Sequence, residues 1–404
     1  MTTMRGFALW LAVCGCAAAQ TPHPAWQEDL EFLVRELPAH HINLFYRMSK
    51  ADFQAQAAAI AEAIPRLSEA EFRTALVRLV ASAGNGHTTL NALTGAPRYP
   101  VRFEAFPEGY FATQATAPFR EALGARLTSI GGIPVDEVAK RLSGLVARET
   151  ALSEKANLPG YLAMEYALAG TGVLKELGPA EFGFERDGRA FPLTMPPVNV
   201  NPPVPFESAL FHRPLWLQDP SKAYWFQYLE AERTLYIQYN RCQDDPSRPF
   251  ADFTREAMAA ADSHAVEKVV IDLRHNGGGN SAVIAPLIAA LKARPKMTQQ
   301  GHVFVLIGRY TYSSGFLAEL ELRNKLKARL VGEASAQRPN AYGEVRAFQL
   351  PRSGFTVSYP TKHFVTVMGD PDTVAPDIAV ETTARDYFAG RDAVLERVFA
   401  PAGR

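Results

Sequence analysis

Three stretches of the sequence put reactive side chains or free backbone amides at places where chemistry could be done. In VFVLIGRYTYSSGF (303–316) an apolar strand pattern ends in Thr311, Ser313 and Ser314, just where a helix pattern begins. A helix N-terminus favours negative charge, so a hydroxyl at Ser313 could attack a carbonyl there. A serine in that place also serves as a plain N-cap, which is the simpler reading. The second stretch is VVIDL (269–273), followed by Arg274-His275-Asn276-Gly277-Gly278-Gly279 and a further helix. Glycines after a strand leave N–H groups free to hold an oxyanion and let a substrate backbone approach without meeting a Cβ, although a glycine-rich turn alone looks the same. No Gly-Lys-Ser/Thr follows and G-x-G-x-x-G is absent, which disfavours phosphate and dinucleotide loops. The third is His87 after Gly84-Asn85-Gly86. An exposed imidazole there could act as general base for a hydroxyl, the alternative being a solvated loop histidine. The other eight histidines show neither H-x-x-x-H nor Cys/His clustering, so neither metal nor cofactor is expected.

These groups need elements to carry them. Trp26, Leu30, Leu33, Val34 and Leu37 recur at helical spacing, and Ser49 before Asp52 and Ser68 before Glu71 read as capping signatures. Phe72, Leu76, Leu79 and Val80 then share one face of a helix that runs into the His87 turn. A helical module is therefore expected over 20–90. Residues 91–215 read as a β-rich middle region with proline and glycine between short apolar runs, and 123–142 gives a strand, a Gly-Gly turn and a helix. Pro202 to Pro205 looks like a connection. From 216 to 404 strands and helices alternate: Leu235, Ile237 and Tyr239, then a helix over 250–262, VVIDL, a helix with Ile284, Leu287, Ile288 and Leu291, VFVLI, a helix over about 314–326, and ARLVG (328–332). That alternation predicts an α/β layer structure with buried, mostly parallel strands.

The chain of 404 residues is 47% hydrophobic and 21% charged, which suits a folded protein of two or three domains. Lys plus Arg equals Asp plus Glu at 42 each, so no overall field draws it to nucleic acid or an anionic membrane. Residues 1–19 read as a secretory signal peptide: one Arg, an apolar stretch from Phe7 to Val13 too short to span a bilayer, and Ala17-Ala18-Ala19. Periplasmic or secreted localisation follows as an expectation, with no transmembrane span in the mature chain. Val13-Cys14-Gly15-Cys16 resembles a lipoprotein cleavage box, which would put a lipid anchor on Cys16. Otherwise the mature chain keeps only Cys242 and can form no internal disulfide.

NGHT (85–88), DLRHNGGG (272–279), TYSSGF (311–316), LVGE (330–333) and APDIAV (375–380) resemble, in order, the signature segments of the C-terminal-processing (tail-specific) and tricorn-core serine peptidases. Within that family they are more similar to the tricorn and retinoid-binding-protein branch. The resemblance implies a ClpP/crotonase-like catalytic core over 216–404 and an exported hydrolase that cuts peptide bonds. It implies Ser313 as nucleophile, His87 as base, and an oxyanion hole from the amide of Ser314 with one of Gly277 and Gly278. The lysine base of one branch falls near Arg338, which stays protonated and cannot serve. An orienting carboxylate before the closing Pro-Asp corresponds best to Asp370, with Asp372 as the alternative. Residues 123–142 resemble the end of a PDZ-like module, a plain β-rich linker being the other reading.

The sequence departs from the family pattern in three places: Phe316 stands where T-x-S-x-x-E has glutamate, Gly86 where the tricorn enzymes have serine, and Asp370 replaces a longer side chain. These departures support a second reading, a peptide- or apolar-ligand-binding protein on the same fold without turnover. A third, a crotonase-like enzyme acting on acyl thioesters, would need a coenzyme A site that the sequence does not display.

Overall fold

The computed structural model describes residues 23–199 and 201–400; the leader expected at 1–19, with Cys14 and Cys16, lies outside them. Both capping signatures act as helix starts. In α2 (Lys50–Ala63), Ser49 Oγ accepts from the Asp52 amide at 3.0 Å. In α3 (Glu69–Ala81), Ser68 and Glu71 satisfy one another's amides, which supplies partners for N–H groups that a helix end otherwise leaves free. With α1 (His23–His40) these helices bury Leu33, Leu37, Phe53, Phe72 and Leu76. Their core continues without a break into the middle region through Tyr99, Phe182 and Phe184, so the two stretches are packed as one body.

After α3 the chain turns through the His87 loop into β1 (Thr89–Leu90). A seven-stranded antiparallel sheet follows, built from β2 (Val101–Phe106), β3 (Gly109–Ala115), β4 (Arg126–Ile130), β5 (Ile133–Pro134), β6 (Ala180–Arg186), β7 (Arg189–Met195) and β8 (Glu207–Ser208). The Gly131-Gly132 turn and α4 (Val135–Leu142) fall where the strand–turn–helix pattern puts them. Between α4 and β6 lie α5 (Ser153–Tyr161) and α6 (Glu165–Gly170).

The C-terminal part is a six-stranded sheet in the order β16-β13-β12-β11-β10-β9. Its strands are β9 (Tyr224–Leu229), β10 (Thr234–Tyr239), β11 (Lys268–Asp272), β12 (Val303–Ile307), β13 (Arg329–Gly332) and β16 (Ile378–Ala379). All neighbours are parallel except β9, which runs antiparallel to β10. Every residue of β10 and β12 is buried, as expected for strands covered on both faces, and this is why β12 reads as an unbroken apolar run. One face packs on α7 (Phe250–Asp262), α8 (Ala285–Lys292) and α9 (Ser314–Leu326); the other takes Val394, Leu395 and Val398 of the last helix, which follows the short Ala384–Phe388 helix. The α/β expectation holds.

Between β13 and β16 the chain makes a long antiparallel hairpin, β14 (Ala341–Gln349) and β15 (Thr356–Phe364), which the sequence reading did not anticipate. β15 pairs with β1, Leu90 opposite Val357, and the hairpin's Val357 and Tyr359 enter the first core. The hairpin thus bridges the two bodies and fixes the strand that leaves His87. No helix among the described residues is long and apolar enough to cross a membrane.

Candidate active site

Ser313 stands at the junction of the loop after β12 with α9, and its backbone takes φ 53° and ψ −125°. A non-glycine residue at positive φ costs of order 1–3 kcal/mol, so the neighbours must impose it. Three contacts do. The Ser313 amide donates to the Oε1 of buried Gln337. The Tyr312 amide donates to the Asn276 carbonyl at 2.9 Å, and the Thr311 hydroxyl donates to the Leu273 carbonyl at 2.9 Å. The last two tie the serine loop to the glycine loop after β11, which is why two strand ends far apart in sequence deliver one site.

His87 reaches the same point from the other body. Asn85, buried, accepts with its Oδ1 from the His87 amide at 3.0 Å and from the Thr88 hydroxyl at 3.2 Å, which closes the turn. The His87 Nε2 lies 3.1 Å from Ser313 Oγ, within hydrogen-bond reach. Its ring packs on that of Tyr312 with centroids 4.9 Å apart. Burial pushes the imidazole down to about 4, the Tyr342 carbonyl opposing this slightly. The other ring nitrogen, Nδ1, is buried with no hydrogen-bond partner among the described residues.

Asp370 is not near enough to be that partner. Its carboxylate, largely exposed, lies 2.8 Å from Arg338, which holds its pKa below the usual carboxylate range. Asp372 pairs with the same guanidinium. Arg338 therefore faces two carboxylates and not the serine.

The glycine loop explains its composition. A Cβ at Gly278 (φ 111°) would sit 2.7 Å from Ser313 Cβ and 3.0 Å from the Ser314 amide nitrogen. Only a residue without a side chain lets the two loops meet. The Gly277 amide donates to the His275 carbonyl and the Gly278 amide to Asn276 Oδ1, both at 3.0 Å. The Gly278 carbonyl accepts from the Cys242 amide at 2.9 Å, so the trans peptide turns the Gly279 N–H the opposite way. Gly279 and Ser314, first residue of α9, line with His87 and Ser313 a cavity of about 410 Å³. Leu317, Pro339, Val345 and Phe364 give the cavity apolar walls. Phe316 is fully buried and faces no part of the site. Among the described residues no group of three or more His, Cys, Asp or Glu side chains is arranged to hold a metal ion.

Three residues at the site escaped the sequence reading. Gln337 holds the nucleophile's amide, Tyr312 packs on the imidazole, and Glu149, buried, accepts from the Gly86 amide and the Tyr312 hydroxyl. None has a local sequence signal, because each acts through partners distant in the chain.

No family model matches the chain, and no curated protein matches it in sequence. Solved structures do match in three dimensions. A CPAF variant with serine replaced by alanine has a TM-score of 0.67 at 14% identity, covering 93% of this chain and 96% of that one. Mature CPAF complexed with lactacystin has a TM-score of 0.65 at 13% identity, covering 93% and 97%. A photosystem II D1 C-terminal processing protease is a looser match, with a TM-score of 0.42 at 11% identity over 88% and 93%, and at that score the likeness carries no weight. Identities this low speak for architecture and not for chemistry, and the architecture is plain: over 93% of its length, this chain shares its α/β fold with mature CPAF.

Proposed function

We propose that the protein is a serine peptidase that cleaves peptide bonds by acyl transfer, with Ser313 as nucleophile and His87 as general base. The observation that carries this reading is the 3.1 Å approach of His87 Nε2 to Ser313 Oγ in a cavity with free amides. The fold shared with mature CPAF, which has been solved with lactacystin bound, supports it.

In this mechanism His87 takes the hydroxyl proton as Ser313 Oγ bonds to the substrate carbonyl carbon. The oxyanion that forms is held by the N–H of Ser314 and that of Gly279, a better placed donor than Gly277 or Gly278, whose amides are engaged within the loop. His87 then gives the proton to the leaving amine, and water releases the acyl group by the reverse sequence. Asp370 is held by Arg338 and takes no direct part in this mechanism. The apolar walls at Leu317, Val345 and Phe364 suit an apolar side chain beside the cut bond.

A fluorophosphonate probe tests the reading: it should label the wild type and not Ser313→Ala, and lactacystin should compete. No labelling and no peptide release between pH 5 and 9 would leave the binding-protein reading standing. Export completes the proposal, either through a leader cut near residue 19 or through cleavage before a lipidated Cys16, and the mass of the N-terminal peptide from cell-envelope protein distinguishes the two.

A further inference from the structure

We propose that Glu149 is a positioning residue for the Ser313–His87 pair, a carboxylate clamping together the loops that carry them; this rests on the peptidase reading. Glu149 lies between α4 and α5, outside every motif of the sequence, and is 2% exposed. Its two oxygens take three donors from three loops. Oε2 accepts from the Gly86 amide at 2.9 Å and the Tyr312 hydroxyl at 2.6 Å. Oε1 accepts from the Arg338 amide at 3.3 Å. Each donor adjoins a working residue: Gly86 precedes His87, Tyr312 precedes Ser313, and Arg338 follows Gln337, which holds the Ser313 amide.

The loop that presents Glu149 is itself fixed. Ser153 Oγ accepts from the Glu149 amide at 3.1 Å and from the Thr150 amide at 2.9 Å. The Thr150 hydroxyl donates to the Ala336 carbonyl at 3.2 Å, so Glu149 and Thr150 grip the chain on both sides of Gln337. Burial raises the carboxyl pKa of Glu149 while the three donors oppose it. The clamp also accounts for Gly86. A Cβ there would lie 2.1 Å from the Tyr312 hydroxyl and 3.0 Å from Glu149 Oε2, so the space of a serine side chain is filled by the clamp. Glu149 does not line the cavity, so its effect on substrate is indirect.

The test compares Glu149→Ala, Glu149→Gln and Tyr312→Phe with wild type, using a fluorescent peptide that the wild type cleaves and fluorophosphonate to count competent sites. A misplacement of about 1 Å costs on the order of 10²-fold in rate, so Glu149→Ala should lose about that in kcat per folded molecule with KM little changed. Glu149→Gln and Tyr312→Phe, which each remove part of the clamp, should fall between, near ten-fold. A kcat for Glu149→Gln and Tyr312→Phe within two-fold of wild type, or losses confined to KM or to the melting temperature, would overturn the proposal even if Glu149→Ala does not fold. Failure of the wild type itself to label would instead sink the peptidase reading, and the clamp's purpose with it.

Discussion

The acid limb of the pH–rate profile offers the sharpest check on the geometry. His87 can accept a proton only when neutral, and its burial between the two bodies pushes its pKa from 6.5 to about 4. At pH 5.5 a histidine titrating at about 4 is about 97% neutral, whereas one at the ordinary value is only about 9% neutral. The two cases differ about ten-fold in rate at that pH. The assay is kcat/KM on a fluorescent peptide from pH 8 to 4, which reports the free enzyme, with the fluorophosphonate labelling rate as a second readout. Folding must be followed in parallel. A depressed histidine pKa gives stability that is complete above 6.5 and is lost as pH falls toward about 4, because the unfolded chain takes up the proton first. For His87 that loss is at most about 3 kcal/mol, and buried His41, also pushed down to about 4, adds its own share. Activity should therefore stay within two-fold from pH 7 to 5.5 wherever the circular dichroism is unchanged. A ten-fold drop over that interval in still-folded protein would refute the buried, neutral base.

Other outcomes follow from single side chains. Gly278→Ala should abolish labelling of Ser313, since its Cβ would sit 2.7 Å from that of the serine at a φ of 111°; a labelled variant would show that the loops can part cheaply. Phe316→Glu buries an unpartnered carboxylate and should cost roughly 3 kcal/mol or more, read as a lower urea midpoint. Glu319, fully buried with one oxygen unpartnered and the other accepting from Ser335 at 2.7 Å, is pushed up to about 8 by desolvation. Such a raised carboxyl gives stability that is complete below about 4.5 and is lost as pH rises toward 8. Glu319→Gln should therefore match wild type in thermal stability near pH 4.5 and gain on the order of 4 kcal/mol relative to it near pH 8. Equal melting temperatures at both pH values would show that Glu319 ionises normally.

What could be read in the sequence was whatever acts through its own neighbours. Ser68 and Glu71, three residues apart, cap α3, and the unbroken run of Val303 to Ile307 announces a strand covered on both faces. The glycines at 277–279 mark a close approach whatever makes it, and Gly278 does meet Ser313. Asp370 is picked out by its place ahead of the closing Pro-Asp motif, but the Arg338 guanidinium takes both it and Asp372, and which carboxylate wins a cation is decided in three dimensions. Glu149 touches partners 63, 163 and 189 residues away, so no window of sequence contains the clamp. The β14–β15 hairpin is hard to read because Glu344 to Ala347 alternate charged and apolar residues yet all four are exposed, so the strand is held there by pairing with β15 and not by a buried face.

His87 and Ser313, the pair proposed to do the chemistry, lie 226 residues apart in the chain. On the peptidase reading, a polypeptide emerging from the ribosome presents its imidazole long before its hydroxyl, and can cut nothing until the last third has folded. Cutting the gene between the two, in the connection near residue 205, should give two inert fragments that regain labelling only on reassociation. Dormancy of this kind needs no inhibitory segment, because the blade is forged only when the handle arrives.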